Sequence, residues 1–344
     1  MPERMTDFAL FRTPNETFAT RFIQTSGRAE AVGRYTLLNH AEGFVFAPFA
    51  ISKYCPILVI RPDVVERVEL TTRGVLPQQS AASSCSTAVP VTPGYHRDFQ
   101  LFHQQLLDGR FDKIVLSRSE DFSLQARADA EEMFRLACAA YPQQFVALVS
   151  TRCAGTWLMA TPEVLIEKQA GSPAWHTMAL AGTMREDGPW SEKDCREQQY
   201  VADYIAQHLA YHAIEVRRSQ PYTRMAAHLY HRCTDFHFIL KDDRYIGNVI
   251  SALHPTPAVC GIPKRETQDF ILQHESHNRK YYSGFCGPLQ MDDATHLYVS
   301  LRCMLLMEQN CRLYAGGGLL DNSDETREWR ETEYKLNTML DVLR

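Results

Sequence analysis

The 344-residue sequence has no C-x-x-C cysteine pair and no basic block of five or more residues. It also has no apolar run of the roughly 18 residues that a membrane-spanning helix needs. Each absence excludes something. Ten cysteines are scattered at positions 55, 85, 138, 153, 195, 233, 260, 286, 303 and 311. Without paired ligand spacings no zinc site is expected, and a chain this long needs no disulfide staples. Reduced thiols in a cytoplasmic setting, bacterial or organellar, fit that pattern. Without a basic block, and with a formal net charge of -5, no electrostatic footprint for nucleic acid exists. The first residues, MPERMTDFALFRTPNETF, are acidic and polar where a secretory signal needs an apolar stretch, so neither a signal peptide nor a membrane partner is expected. No repeat of 20 to 50 residues is visible.

What is present is ordinary globular material, 45% apolar and 22% charged, enough for one large or two medium domains. Apolar runs GFVFAPF and CPILVI read as strands in a variable N-terminal part, 1–76. The small, polar, proline-containing stretch 77–94 reads as a flexible linker, and 95–344 as the main body of a single unit. Within that body a helix is expected at 95–108. Strands are expected at RFDKIVLSRSEDFSL, QFVALVST, TWLMA, EVLIEKQ and AWHTMALAGTM. Ser191 with its acidic first turn opens a helix expected to run to about Arg218. RMAAHLYHR reads as a strand, followed by a helix near 243–252, a proline-rich loop and a helix through Glu275. Strands near 281–289, 296–307 and 311–316 precede a final helix. Runs of strands with helices between the runs predict an α+β fold: two layered, largely antiparallel sheets flanked by helices.

Two helices carry matching acidic pairs. In SEKDCREQQYV, Asp194 and Glu197 are spaced i, i+3. In EWRETEYKL, Glu328, Glu331 and Lys335 fall at i, i+3 and i+7 and share one helix side. Such groups are commonly solvated decoration. If the pairs meet, four carboxylates require a cation or raised pKa values, and Mg²⁺ with its preference for oxygen ligands is the natural guest. Arg302, in VSLRCMLL, lies in an apolar strand pattern, where a guanidinium needs either a structural ion pair or an anionic ligand. The glycines of YAGGGLL and ALAGTM permit either tight turns or close approach of backbone N–H groups to a carboxylate.

The motifs FDKIVLSR, ATPEVLIEK, LAGTMR, SEKDCREQQYV, LHPTPAVCGIPK, YYSGFCG, LYAGGGLL and EWRETEYKL occur in this order. In this the chain resembles the chorismate-utilising enzymes, a family that includes isochorismate, salicylate, anthranilate and aminodeoxychorismate synthases. The resemblance covers roughly 95–344. It implies the chorismate-binding fold and Mg²⁺ held by Glu197 and Glu331, with Asp194 and Glu328 acting through bound waters. It implies that chorismate's ring carboxylate completes the coordination, helped by backbone N–H groups near Gly182 and Thr183 or Gly316. By the same resemblance Arg302 and Tyr282 hold the enolpyruvyl carboxylate, Lys335 neutralises the anionic centre and His231 lies against the ring.

Family members differ in what attacks the ring. Lys113 stands where members that use water carry a lysine base and amine-using members usually carry glutamine. An unperturbed lysine is neutral in only about one part in ~2500 at pH 7, so a base at this position needs a lowered pKa. A solubility charge on an edge strand is the plain alternative. Glu163 matches the family's general acid, which needs an apolar setting to keep its proton. Ala181 replaces the nucleophilic lysine of aminodeoxychorismate synthases, and Ala258 stands where salicylate synthases tend to carry threonine. No glutaminase domain is present, and a monomer with no glutaminase subunit is expected. Gln198 and Gly317 depart from the family's usual histidine and alanine. The resemblance thus implies conversion of chorismate to isochorismate, for menaquinone or siderophore synthesis. A salicylate synthase and a non-catalytic chorismate-binding regulator are the alternatives.

Overall fold

The computed structural model describes residues 6–70, 90–124 and 129–343. The expected linker lies outside these residues as far as position 89, and its last two residues, Pro93 and Gly94, already open the helix Pro93–Leu107. Thr92 caps that helix by accepting from Tyr95 N, and proline takes the first turn, where its missing N–H is harmless.

Every strand pairing among the described residues is antiparallel. One sheet runs, edge to edge, Gly261–Ile262, Lys113–Ser123, Asn310–Leu319, Cys303–Leu306, Gly155–Thr161, Phe145–Thr151, Asp7–Arg12, Phe18–Gln24 and Val64–Glu69. The other runs Ala213–Arg218, Leu229–Leu240, Trp175–Met184, Val164–Lys168, Thr295–Val299, Phe285–Leu289, Gly43–Ala47, Ile57–Ile60 and Glu30–Val32, with Tyr222–Ala226 also on Leu229–Leu240. The first 70 residues thus add strands to both sheets. The sheets face each other across an aromatic layer that includes Phe46, Trp157, Tyr281 and Tyr298. Phe46 stacks on Tyr281 at 4.2 Å and Phe145 on Tyr298 at 4.3 Å between ring centroids. Helices Glu192–His212 and Ile246–Leu253 cover the outer face of one sheet, and Ala130–Ala140 and Glu325–Leu343 that of the other. Strands covered on both faces explain the near-continuous apolar runs of the sequence. The architecture is the expected α+β arrangement of two layered sheets flanked by helices.

At five places the structure corrects a local expectation or decides between two left open. The helix opened by Ser191 ends at His212, because β-branched Ile214 and Val216 continue as the edge strand Ala213–Arg218. RMAAHLYHR is a hairpin, turning at Ala227 and His228 with φ +55° at Ala227. The AGGG run is no turn: it lies inside the strand Asn310–Leu319. ALAGTM is a bulge at the end of Trp175–Met184, with Gly182 at φ +74°. The strand expected over 296–307 is two strands in different sheets, broken at 300–302.

That break positions the site. The chain crosses between the sheets twice in the same neighbourhood, at Pro162–Glu163 and at Ser300–Arg302. The crossings are tied together by Val299 N donating to Glu163 O at 2.9 Å and Ala160 N donating to Arg302 O at 3.1 Å. Arg302 holds φ +46°, a left-handed conformation costing about 1 kcal/mol or more for a residue with a side chain. Both charged side chains are delivered by irregular backbone between two rigid sheets.

Candidate active site

The glycine strand pairs with the lysine strand in the register Gly316↔Ser117, Gly317↔Leu116 and Gly318↔Val115. Here glycine is required by close approach. A Cβ on Gly318 would lie 2.1 Å from Glu197 Oε1 and 2.8 Å from Lys113 Cε, and one on Gly317 would lie 3.2 Å from Glu328 Oε2. The first two turns of two helices therefore press their carboxylates onto bare backbone. Ser191 caps one helix by accepting from Asp194 N, and Asp324 caps the other by accepting from Arg327 N, each worth about 1 kcal/mol.

Charges alternate through the cluster so formed. Lys113 Nζ lies 3.2 Å from Glu197 Oε1 and donates to Pro257 O at 2.7 Å. Lys193 Nζ lies 2.7 Å from Glu328 Oε1 and 3.6 Å from Glu197 Oε2. Lys335 Nζ lies 2.7 Å from Glu331 Oε1 and donates to Gly316 O at 2.8 Å. Thr183 Oγ1 donates to the same Glu331 oxygen at 2.9 Å. Burial lowers the pKa of Lys113, against the pull of Glu197. Burial opposes the charge on Lys193 too, but Glu197, Glu328 and Glu331 outweigh it and hold it above the usual lysine range. Glu328 is pushed up by burial and by its anionic neighbours. Its partner Glu331, despite burial, is held down by Lys335, Lys193 and Thr183.

Beside this cluster a cavity opens between the sheets. Its walls include apolar Val115, Pro162, Leu180, Leu301 and Tyr314. Glu163 lines it, 3% exposed; burial raises its carboxyl to about 8, against the opposing pull of Lys113, Lys335 and Arg302. Arg302, 5% exposed, makes no ion pair among the described residues. Its guanidinium donates to Thr338 Oγ1 at 3.1 Å and to His231 Nε2 at 2.9 Å. His231 must accept there, so its Nδ1 carries the proton and donates to Gly182 O at 2.8 Å. Burial, Arg302 and Lys335 lower His231 to about 3, leaving it neutral. Burial lowers Arg302 to about 10, which still leaves it charged at neutral pH. A buried cation held by neutral partners is a socket for an anion.

All the expected catalytic, substrate-binding and metal-binding residues line this cavity except Lys113, Asp194 and Glu328. Lys113 is fully buried, which excludes an edge-strand solubility role, and stands one layer behind Glu197 and Gly318. Asp194 accepts from Ser191 Oγ and lies 3.1 Å from Arg327 Nη2. Glu328 is held by Ser323 and Lys193 behind Gly317. Arg302 lies between strands rather than within one, and among the described residues it makes no structural ion pair. Sequence reasoning missed Lys193, whose signal was its i, i+4 spacing to Glu197. It also missed Thr338, for which no signal existed.

Among the described residues no three acidic, histidine or cysteine side chains already converge as a metal cluster. The donor set nonetheless suits a hard divalent cation. Glu328 Oε2 is buried with no hydrogen-bond partner, and the bare backbone of Gly317 and Gly318 lets the carboxylates of Glu197, Glu328 and Glu331 gather on one strand.

The sequence matches the profile of the family described as chorismate binding enzyme over residues 62–344. It is 28% identical over 293 residues to isochorismate synthase EntC of Escherichia coli K12, covering 81% of this chain and 70% of that protein. It is 33% identical over 253 residues to the salicylate biosynthesis isochorismate synthase of Pseudomonas aeruginosa, covering 68% of this chain and 51% of that one. A solved putative 2,3-dihydroxybenzoate-specific isochorismate synthase, DhbC from Bacillus anthracis, superposes with TM-score 0.80 at 23% identity, covering 98% and 96% of the two chains. The menaquinone-specific isochorismate synthase MenF of Escherichia coli superposes with TM-score 0.77 at 22% identity, covering 98% and 89%.

Proposed function

The chain belongs to the chorismate binding enzymes, and from that premise we propose that it is an isochorismate synthase, an isomerase that adds water at C2 of chorismate and expels the C4 hydroxyl. The observation that carries this is the pairing of a buried, unpaired guanidinium with a neutral carboxyl in one cavity. Arg302, with Tyr282 beside it, takes the enolpyruvyl carboxylate and fixes the ring. Glu163 keeps its proton because it is desolvated, and gives it to the departing C4 oxygen, which leaves as water. The attacking water loses a proton to Lys113 Nζ, whose basicity burial makes available. Lys113 reaches that water when Glu197 releases it. His231, neutral and locked between Arg302 and Gly182 O, borders the ring without adding charge. Lys335, Gly182, Thr183 and Gly316 line the end of the cavity that receives the ring carboxylate.

Glu197 and Glu331 would hold Mg²⁺, with Glu328 and Asp194 supporting its hydration shell, and the ion would neutralise the ring carboxylate. Ala258 places no hydroxyl in the cavity wall and Ala181 no amine, consistent with a reaction that stops at isochorismate. In this reading the chain acts as a monomer and without a glutaminase subunit. No helix among the described residues is long and apolar enough to cross a membrane, and nine cysteines among them are free thiols. Both suit a cytoplasmic enzyme whose product passes to menaquinone or a siderophore. Incubation with chorismate, with and without EDTA, followed by chromatography, tests the reading. Mg²⁺-dependent isochorismate is expected; salicylate with pyruvate, or unchanged chorismate, overturns it.

A further inference from the structure

Lys193 takes no part in the reaction just described, yet it joins the two acidic helices. Its ammonium, on a side chain 7% exposed, lies between Glu328 of one helix and Glu197 of the other, at 2.7 Å and 3.6 Å. These are carboxylates that a divalent cation would have to share or draw into its hydration shell. The remaining oxygen of Glu328 is buried without a partner, so the space around this ammonium is not saturated by the protein. Gly317 and Gly318, having no side chains, let Glu197 and Glu328 pack directly against the strand backbone here. A lysine is suited to such a post: a compact charge on a flexible four-carbon arm with three donors, able to leave along its own stem.

We propose that Lys193 is a resident counter-ion of the metal site, holding Glu197 and Glu328 in the substrate-free protein and displaced from between them when a divalent cation binds. Metal uptake is then an exchange of one cation for another. The inference rests on the metal-dependent reading given under the proposed function. The charges support it. Glu197, Glu328 and Glu331 face Lys113, Lys193 and Lys335, three formal negative charges against three positive. Exchanging one ammonium for a divalent cation still leaves one extra positive charge in a buried site, which is costly. The ring carboxylate of the ligand offsets that charge, while its second carboxylate meets Arg302. Metal and substrate therefore bind weakly apart and reinforce each other by the same factor in either order.

The test is calorimetric titration of Mg²⁺ into the substrate-free protein, wild type against Lys193→Met and Lys193→Arg. Removing the competing charge is expected to tighten Mg²⁺ by about tenfold or more. The Arg variant, which keeps charge and bulk, is expected to bind no more tightly than wild type. In EDTA the Met variant should unfold at a lower temperature than wild type and recover on adding Mg²⁺. A Met variant that binds Mg²⁺ no more tightly than wild type, or Met and Arg variants that behave alike, overturns the exchange. Should the Met variant fail to fold, Lys193→Gln is titrated in its place, with the same tightening expected and an unchanged affinity overturning the proposal. Chorismate turnover by the wild type is followed separately. Product formation with an unmoved Mg²⁺ affinity removes the exchange and leaves the proposed function standing, whereas absence of product removes that function itself.

Discussion

Replacing Glu163 by glutamine is expected to make the protein less active and more stable, by an amount that grows with pH. In the unfolded chain the carboxyl has its ordinary value of 4.5, whereas burial between the sheet crossings raises it to about 8. At neutral pH folding must therefore take up a proton that the unfolded chain has lost. A folded value above the unfolded one means that stability is fully present below about pH 4.5 and is lost as pH rises through about 8. At ~1.4 kcal/mol per pH unit the cost is close to zero at pH 4, about 3 kcal/mol at pH 7, and levels off near ~5 kcal/mol above pH 8. Glutamine fills the same space and cannot ionise, so the variant is relieved of this cost. Urea unfolding of both proteins at several pH values measures the gap. A gap that widens with pH, together with turnover reduced by at least ~100-fold, is the expected pair of results. A pH-independent gap, or a variant less stable than wild type at pH 8, would show that Glu163 is an ionised, paired carboxylate and refute the argument.

Gly318→Ala should lower stability by about 1–3 kcal/mol, seen as a lower midpoint in scanning calorimetry, and abolish most turnover. Its methyl has no room at 2.1 Å from Glu197 Oε1, and an unchanged midpoint would mean that the carboxylate moves freely. Arg302→Lys should weaken chorismate binding by roughly 10- to 100-fold in a substrate titration, because a point charge does not reproduce the planar fork held by Thr338 and His231. Lys113→Ala should cut turnover by at least ~100-fold while leaving chorismate binding intact, and a retained rate would remove it from the chemistry. The acid limb of the pH–rate profile should lack a histidine inflection near pH 6.5, since His231 stays neutral down to about 3. An inflection there that disappears in His231→Gln would contradict its neutral role.

The sequence shows the site's composition better than its geometry. Spacing within one helix is rigid, so the pairs 194/197 and 328/331 fall on helix faces by spacing alone, and family motifs name their companions. What no local pattern encodes is how elements remote in sequence face each other. Asp194 meets Arg327, and Lys193 stands between Glu197 and Glu328. Arg302 reads as part of one long strand because a sheet-to-sheet crossing keeps the same apolar composition on either side. The glycines of 315–318 leave a turn and a close approach equally open in sequence, because a strand that needs bare backbone and a turn that needs positive φ select the same residue. Lys113 reads the same in sequence whether it sits on a solvated edge or in a dry interior; only the strand order, with Gly261–Ile262 covering its flank, decides.

The central claim is that water attacks a ring pinned by Arg302 while Glu163 protonates the group that leaves. Reaction in water enriched in heavy oxygen, with the product analysed by mass spectrometry, tests it most directly. Isochorismate carrying one solvent-derived oxygen at C2, and no label in recovered chorismate at early times, is the predicted result. Isochorismate with no heavy oxygen would mean that the hydroxyl migrates within the substrate, and would contradict the assignment of Lys113 and Glu163 as base and acid on separate oxygens.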